Sequence, residues 1–194
     1  MYIPEHFKVS DKERVFSFVE KHSFGQLISN VEGRFFSTRL PFLLSEDKTK
    51  LFGHLSMQNP QHFDLEGQEV LVTFDGPHGY ISPSWYESPG VPTWNYQSVH
   101  IYGRVTLLKR ESDAREIVDQ LTNKYESKFD NPWTPRYKDS ILKAIVAFEI
   151  RIGEFQCQYK LSQNRSSIDR AQVIEQLKRQ GSEELATAMM QDEF

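Results

Sequence analysis

Between Ser23 and Leu55 apolar side chains recur at every second position, and that period of two commits this part of the chain to strands. Three runs carry it: residues 24–29, 34–44 and 50–55, separated by Glu32-Gly33 and by Ser45-Glu46-Asp47-Lys48, both turn-forming. Joined in order, they predict a three-stranded antiparallel meander. Pro41 has no N–H to give a ladder, so it is expected at an edge or a bulge. Asn59-Pro60 then predicts a short helix, with Asn59 as cap and Pro60 in the first position.

A buried strand at 70–74 leads into residues 76–104, GPHGYISPSWYESPGVPTWNYQSVHIYGR, which hold two tryptophans, four tyrosines, four prolines and two histidines. Proline withholds a donor and glycine admits turns, so this stretch predicts an ordered loop pinned by ring burial, up to a strand at 98–108. A buried Trp or Tyr covers about 150–250 Å² and needs a partner for its N–H or O–H. Such a loop lines a cleft or a subunit interface; a plain packed surface loop has the same composition.

Ser10-Asp11-Lys12-Glu13 reads as a capping box opening a helix over 11–22, with Val15, Phe18, Val19 and His22 on one face. Further on, the pattern predicts a helix over 112–125 facing inward through Ile117, Val118, Leu121 and Tyr125. A short helix at 137–143, strands at 145–152 and 155–160, and a polar helical tail over 167–191, interrupted at Gly181, complete the chain. Six or seven strands with few crossover helices predict a mainly β (α+β) fold, a small antiparallel barrel with peripheral helices. We expect a barrel domain over 1–165 and a helical extension over 166–194. No βαβ unit, GxGxxG or Walker glycine loop is present.

The chain of 194 residues carries 23 basic and 27 acidic side chains, net −4, a balance without a global pull towards nucleic acid or anionic membrane. Its single cysteine, Cys157, excludes an internal disulfide and multi-cysteine metal sites. No apolar run approaches the roughly 18 residues a membrane-spanning helix needs, so a soluble cytoplasmic protein without membrane association is expected. The six histidines, 6, 22, 54, 62, 78 and 100, show no metal-ligand spacing, and no metal is expected. A GxSxG nucleophile elbow is also missing.

The loop Leu161-Ser162-Gln163-Asn164-Arg165, following Lys160, gathers two amides, a hydroxyl and two cations at a strand end. That donor set suits a phosphate, and equally a turn that caps the tail helix. Thr38-Arg39 and His54-x-Ser56 stand on adjacent strand ends of the expected meander and add a second donor group. Aromatic walls beside donors match a flat, phosphorylated heterocycle, which flavin mononucleotide (FMN) is.

Three stretches are more specific than their composition: residues 74–86 (FDGPHGYISPSWY), 91–100 (VPTWNYQSVH) and 160–165 (KLSQNR). In these words the chain resembles the PaiB family of FMN-binding split-barrel proteins, over nearly its whole length. The resemblance implies a split β-barrel of the pyridoxamine-phosphate-oxidase type, a homodimer with FMN at the subunit interface, and a negative transcriptional regulator. The donor groups and rings, taken with the resemblance, give Thr38, Arg39, His54, Ser56, Asn59, Trp94, Tyr96, Lys160, Ser162, Gln163 and Arg165 as the expected cofactor-binding residues, and no residue is expected as catalytic. The family's usual His-x-Ala-Arg-Ala-Asn-Pro is here His54-Leu55-Ser56-Met57-Gln58-Asn59-Pro60, with Met57 in place of the arginine. Losing one charge-assisted bond costs about 1.5–3 kcal/mol, or one to two powers of ten in affinity. The resemblance therefore implies weak or absent FMN binding in this chain unless Arg39, where histidine is usual, compensates.

Two alternatives accompany the regulator. An FMN-dependent oxidoreductase would use the cofactor's hydride chemistry under a lid of Trp94 and Tyr96, with His78 and His100 as acid–base candidates or as plain packed residues. A non-catalytic module for haem or another planar ligand would use the same rings. DNA as a partner comes only with the family label, since the sequence offers no helix-turn-helix and only scattered basic residues in the tail and at Lys109-Arg110.

Overall fold

The computed structural model describes residues 1–192; positions 193 and 194 of the expected tail extension lie outside the described residues. In chain order the elements are α1 (Lys12–Lys21), β1 (Phe24–Val31), β2 (Arg34–Pro41), β3 (Leu43–Leu44), β4 (Lys50–Ser56), β5 (Glu69–Ile81) and β6 (Thr93–Leu108). Then follow α2 (Glu111–Glu126), α3 (Asp139–Leu142), β7 (Ile145–Lys160), α4 (Ser167–Arg179) and α5 (Glu183–Gln191), with single 3-10 turns at Glu5–Phe7, Pro60–Phe63 and Pro83–Trp85. The strands form one seven-stranded antiparallel sheet in the order β2-β1-β5-β6-β7-β4-β3. The fold is the α+β arrangement of flavin-binding split barrels, as the alternation and the resemblance predict. Two contact units divide the described chain: Phe16–Phe74 with His100–Phe155, and Met1–Val15 with Asp75–Val99 and the residues from Gln156 on.

In the first unit β1 and β2 form a hairpin paired from Phe24↔Pro41 to Val31↔Arg34. Its two-residue turn, Glu32 (φ 50) and Gly33 (φ 81), has both residues left-handed, the geometry that matches strand twist. Pro41 ends the edge strand β2, where a missing N–H is harmless. The expected meander continues to the third run through β3, whose Leu43 and Leu44 pair with Phe52 and Leu51 of β4. The other side of β4 pairs with β7, from Lys50↔Arg151 to Ser56↔Ile145, a partner the local pattern does not name. β2 passes close to β4 as well: a Cβ on Gly53 would stand only 2.8 Å from Leu40 Cδ1.

Phe42, Phe74 and Phe148, all fully buried, meet edge to face at 5.5 and 6.4 Å. Helix α2 covers a second apolar cluster through Ala114, Ile117 and Leu121, against Leu43 and Ala147. Val118, expected inward, is only half-buried. Helix α1 is capped by Asp11, whose carboxylate accepts the Arg14 N–H at 3.0 Å, and not by the Ser10 box.

Residues 76–81 and 93–97 are not loop. They lengthen β5 and β6, hydrogen-bonded neighbours in the sheet, leaving residues 82–92 between them. Likewise, Gly153-Glu154 carries β7 on as one strand where two were expected. In the second unit, Gly181 (φ 77) terminates α4, with the Ser182 N–H on Leu177 O at 2.9 Å and the Gly181 N–H on Lys178 O at 3.0 Å. Among the described residues, no helix is long and apolar enough to cross a membrane.

Candidate functional site: two cations beside exposed rings

Lys160 is the last residue of β7, and its ammonium donates to Thr93 Oγ1 and to the Trp94 carbonyl at 2.6 Å. Burial first, then the neighbouring Arg165 cation, lowers its pKa below the ordinary lysine value. Arg165 stacks its guanidinium 4.3 Å from the centre of the Tyr86 ring and donates to Pro89 O at 3.0 Å. Neither cation is paired with a carboxylate among the described residues. Two neighbouring cations without an acid between them among the described residues favour an anion.

Ser162 and Gln163, predicted to serve the same ligand, face inward. Ser162, at φ 63, is buried and its hydroxyl accepts from Asn95 Nδ2 at 2.9 Å. Gln163 accepts the Leu161 N–H at 2.7 Å and donates to Tyr159 O and Asp192 Oδ2. Both amino acids therefore set the shape of the 161–165 turn that delivers Arg165. Asn95, wholly buried, was not among the predicted residues; nothing in its sequence neighbourhood distinguishes it from the exposed polar residues of a loop.

The rings are less buried than composition suggested. Trp94 is 54% exposed, with Tyr80 at 6.3 Å edge-on and His78 at 6.4 Å, while Tyr96 is half-buried. An open aromatic face thus lies on the strand that supplies the Lys160 contacts.

The other predicted residues belong to the first unit. Thr38 donates to Gln61 Oε1 at 2.7 Å and accepts from Asn59 Nδ2 at 2.9 Å, and Asn59 also caps the Pro60–Phe63 turn through the Gln61 N–H. Gln61, wholly buried and missed by sequence reading, completes the set with a bond to Ser29 Oγ at 2.8 Å. The Asn-Pro cap two residues before it was the available signal. Arg39 and Ser56 are exposed, with the Ser56 hydroxyl accepting the Gln58 N–H at 3.2 Å. His54 is half-buried with Nδ1 unbonded, and burial lowers its pKa, which favours the neutral ring. Met57 is 48% exposed, an apolar side chain where the resemblance places arginine. Among the described residues, no group of three or more His, Cys, Asp or Glu could hold a metal.

The chain's residues fit a phosphorylated flavin in their chemistry: the unneutralised Lys160–Arg165 pair for the phosphate, the Trp94 and Tyr96 rings for the heterocycle. Comparison with known proteins agrees in kind. The family described as "Putative FMN-binding domain" matches residues 1–154. The chain is 44% identical over 185 residues, 91% of its own length and 89% of the other's, to the protease synthase and sporulation protein PAI 2 of Bacillus subtilis. Among solved structures, an FAD- and haem-binding protein of Mycobacterium smegmatis is similar in fold, with TM-score 0.65 at 15% identity, over 84% of this chain and 78% of that one. A flavocytochrome of Azotobacter vinelandii is similar as well, with TM-score 0.65 at 18% identity, over 88% of this chain and 78% of that one.

Proposed function

The chain belongs to this FMN-binding domain family, in its PaiB branch, and we propose that it is a flavin-binding regulatory protein acting as a homodimer. FMN binds with its phosphate at Lys160 and Arg165 and its ring system against Trp94 and Tyr96. Ser162 and Gln163 act by shaping the turn that delivers Arg165. The observation that carries this reading is the Lys160–Arg165 pair, two neighbouring cations without an acid partner among the described residues, on the unit that also exposes Trp94. The bound flavin would supply a redox-sensitive ring. The protein's part is to anchor it and to expose a different surface with and without it.

The name of the Bacillus relative supports a role in controlling protease synthesis and sporulation. Regulation through a dimer surface, without a DNA groove, suits a net charge of −4. The exposed Trp94 and Tyr80 rings support an interface between copies. With Met57 in place of arginine, the flavin exchanges readily, so reconstituted protein is the proper sample.

The test is the absorption spectrum of protein brought to equilibrium with FMN by dialysis, alongside its mass in solution. Flavin bands that stay with a dimer support the reading. A Soret band in the freshly purified protein, or flavin lost entirely at micromolar protein, would overturn it. Steady consumption of reduced nicotinamide with added FMN would reassign the protein as an oxidoreductase.

A further inference from the structure

Arg165 owes its position to loop 86–90, and that loop is held by a residue beyond the matched family region, which ends at 154. Asp169, in the first turn of α4, is 1% exposed. Its Oδ1 accepts the Glu87 N–H at 2.8 Å and the Ser88 N–H at 3.4 Å, and its Oδ2 accepts the Ser88 hydroxyl at 2.5 Å. A buried carboxylate without a cation is costly unless donors surround it. The three bonds from residues 87 and 88 fall immediately between Tyr86, which stacks on Arg165, and Pro89, whose carbonyl holds it, and the Ser166 hydroxyl also acts on the carboxylate. Asparagine could keep the two N–H bonds through its Oδ1 and donate to the Ser88 hydroxyl, which accepts as readily as it donates, so alanine is the substitution that removes the clamp.

We propose that Asp169 is a positioning residue for the phosphate of FMN: it clamps residues 87 and 88, so that Tyr86 and Pro89 hold the Arg165 guanidinium facing the ligand. This rests on the reading of Lys160 and Arg165 as the phosphate site. The α4 helix is then part of the binding apparatus, not an appendage. Its own cap shares the arrangement, since Ser166 Oγ accepts the Asp169 N–H at 3.1 Å.

The experiment compares wild type, Asp169→Ala and the milder Ser88→Ala by two readouts. Hydrogen exchange at Glu87 and Ser88 reads the clamp, and fluorescence titration with FMN and with riboflavin reads its consequence. We expect exchange at both amides at least about tenfold faster in Asp169→Ala. FMN affinity should fall about tenfold while riboflavin affinity stays the same, with Ser88→Ala changing both readouts less in the same direction. A merely structural defect would weaken both ligands together and would overturn the assignment. So would a wild-type preference for FMN that Asp169→Ala leaves intact, in which case the phosphate reading itself stands. A wild type indifferent to the phosphate sinks that reading, and this one with it. If Asp169→Ala does not fold, Ser88→Ala decides by the same criteria.

Discussion

The Arg165 guanidinium lies 4.3 Å from the centre of the Tyr86 ring, and the absence of a side chain at Gly90 leaves room for that ring. A Cβ at Gly90 would collide with Tyr86 Cδ2 and stand 3.2 Å from Arg165 Nη2. Gly90→Ala should therefore move Tyr86 off the guanidinium and weaken FMN binding by about three- to tenfold, with little change for riboflavin. Isothermal titration with both ligands checks this.

Thr38 ties Asn59 to Gln61, whose amide is wholly buried. Thr38→Val keeps the shape but leaves Gln61 Oε1 without its donor, which should cost about 1–3 kcal/mol. For a chain of this size that lowers the melting temperature by about 2–4 °C per kcal/mol. Calorimetry reads it directly.

Burial lowers the His54 pKa below its ordinary value of 6.5. The unfolded chain then binds the proton more readily than the folded one, so stability is complete above about pH 6.5 and falls as the pH drops through that value. Denaturant midpoints measured between pH 7.5 and 5 should decline, and His54→Gln should remove a share of the decline. An identical slope in the variant would contradict this.

Burial pushes the Cys157 thiol up to about 12, and the residue is 1% exposed. At pH 8 a thiol reagent should react with the native protein only as fast as it opens, and stoichiometrically within minutes in guanidinium. Rapid native labelling would show that this part of β7 is not packed as described.

Much of the fold was legible in local pattern. The period-two runs, Pro41 at an edge, the Asn59 cap and the Gly181 break are each dictated by neighbours in sequence, and each stands as expected. The pairing of β4 with β3 was legible as the next step of the meander, whereas its pairing with β7 was not, because β7 is distant in sequence and no local pattern names it as a partner. Residues 76–81 and 93–97 read as loop because glycine and proline punctuate them, yet ladder neighbours override that tendency. The same limit governs the site. Lys160 and Arg165 were identifiable as cations at a strand end, whereas the inward rotation of Ser162 and Gln163 follows from Asn95 and Asp192, which no spacing rule connects to them. Asp169 escaped for the same reason: its donors lie on residues 87 and 88.

Recognition of a flavin's phosphate by Lys160 and Arg165 is measured by fluorescence titration of wild type and Lys160→Ala with FMN and riboflavin. Wild type should bind FMN more tightly than riboflavin by about tenfold or more, and Lys160→Ala should lose most of this difference while keeping its riboflavin affinity. Equal affinities for the two flavins in wild type, or an undiminished FMN preference in Lys160→Ala, would contradict it.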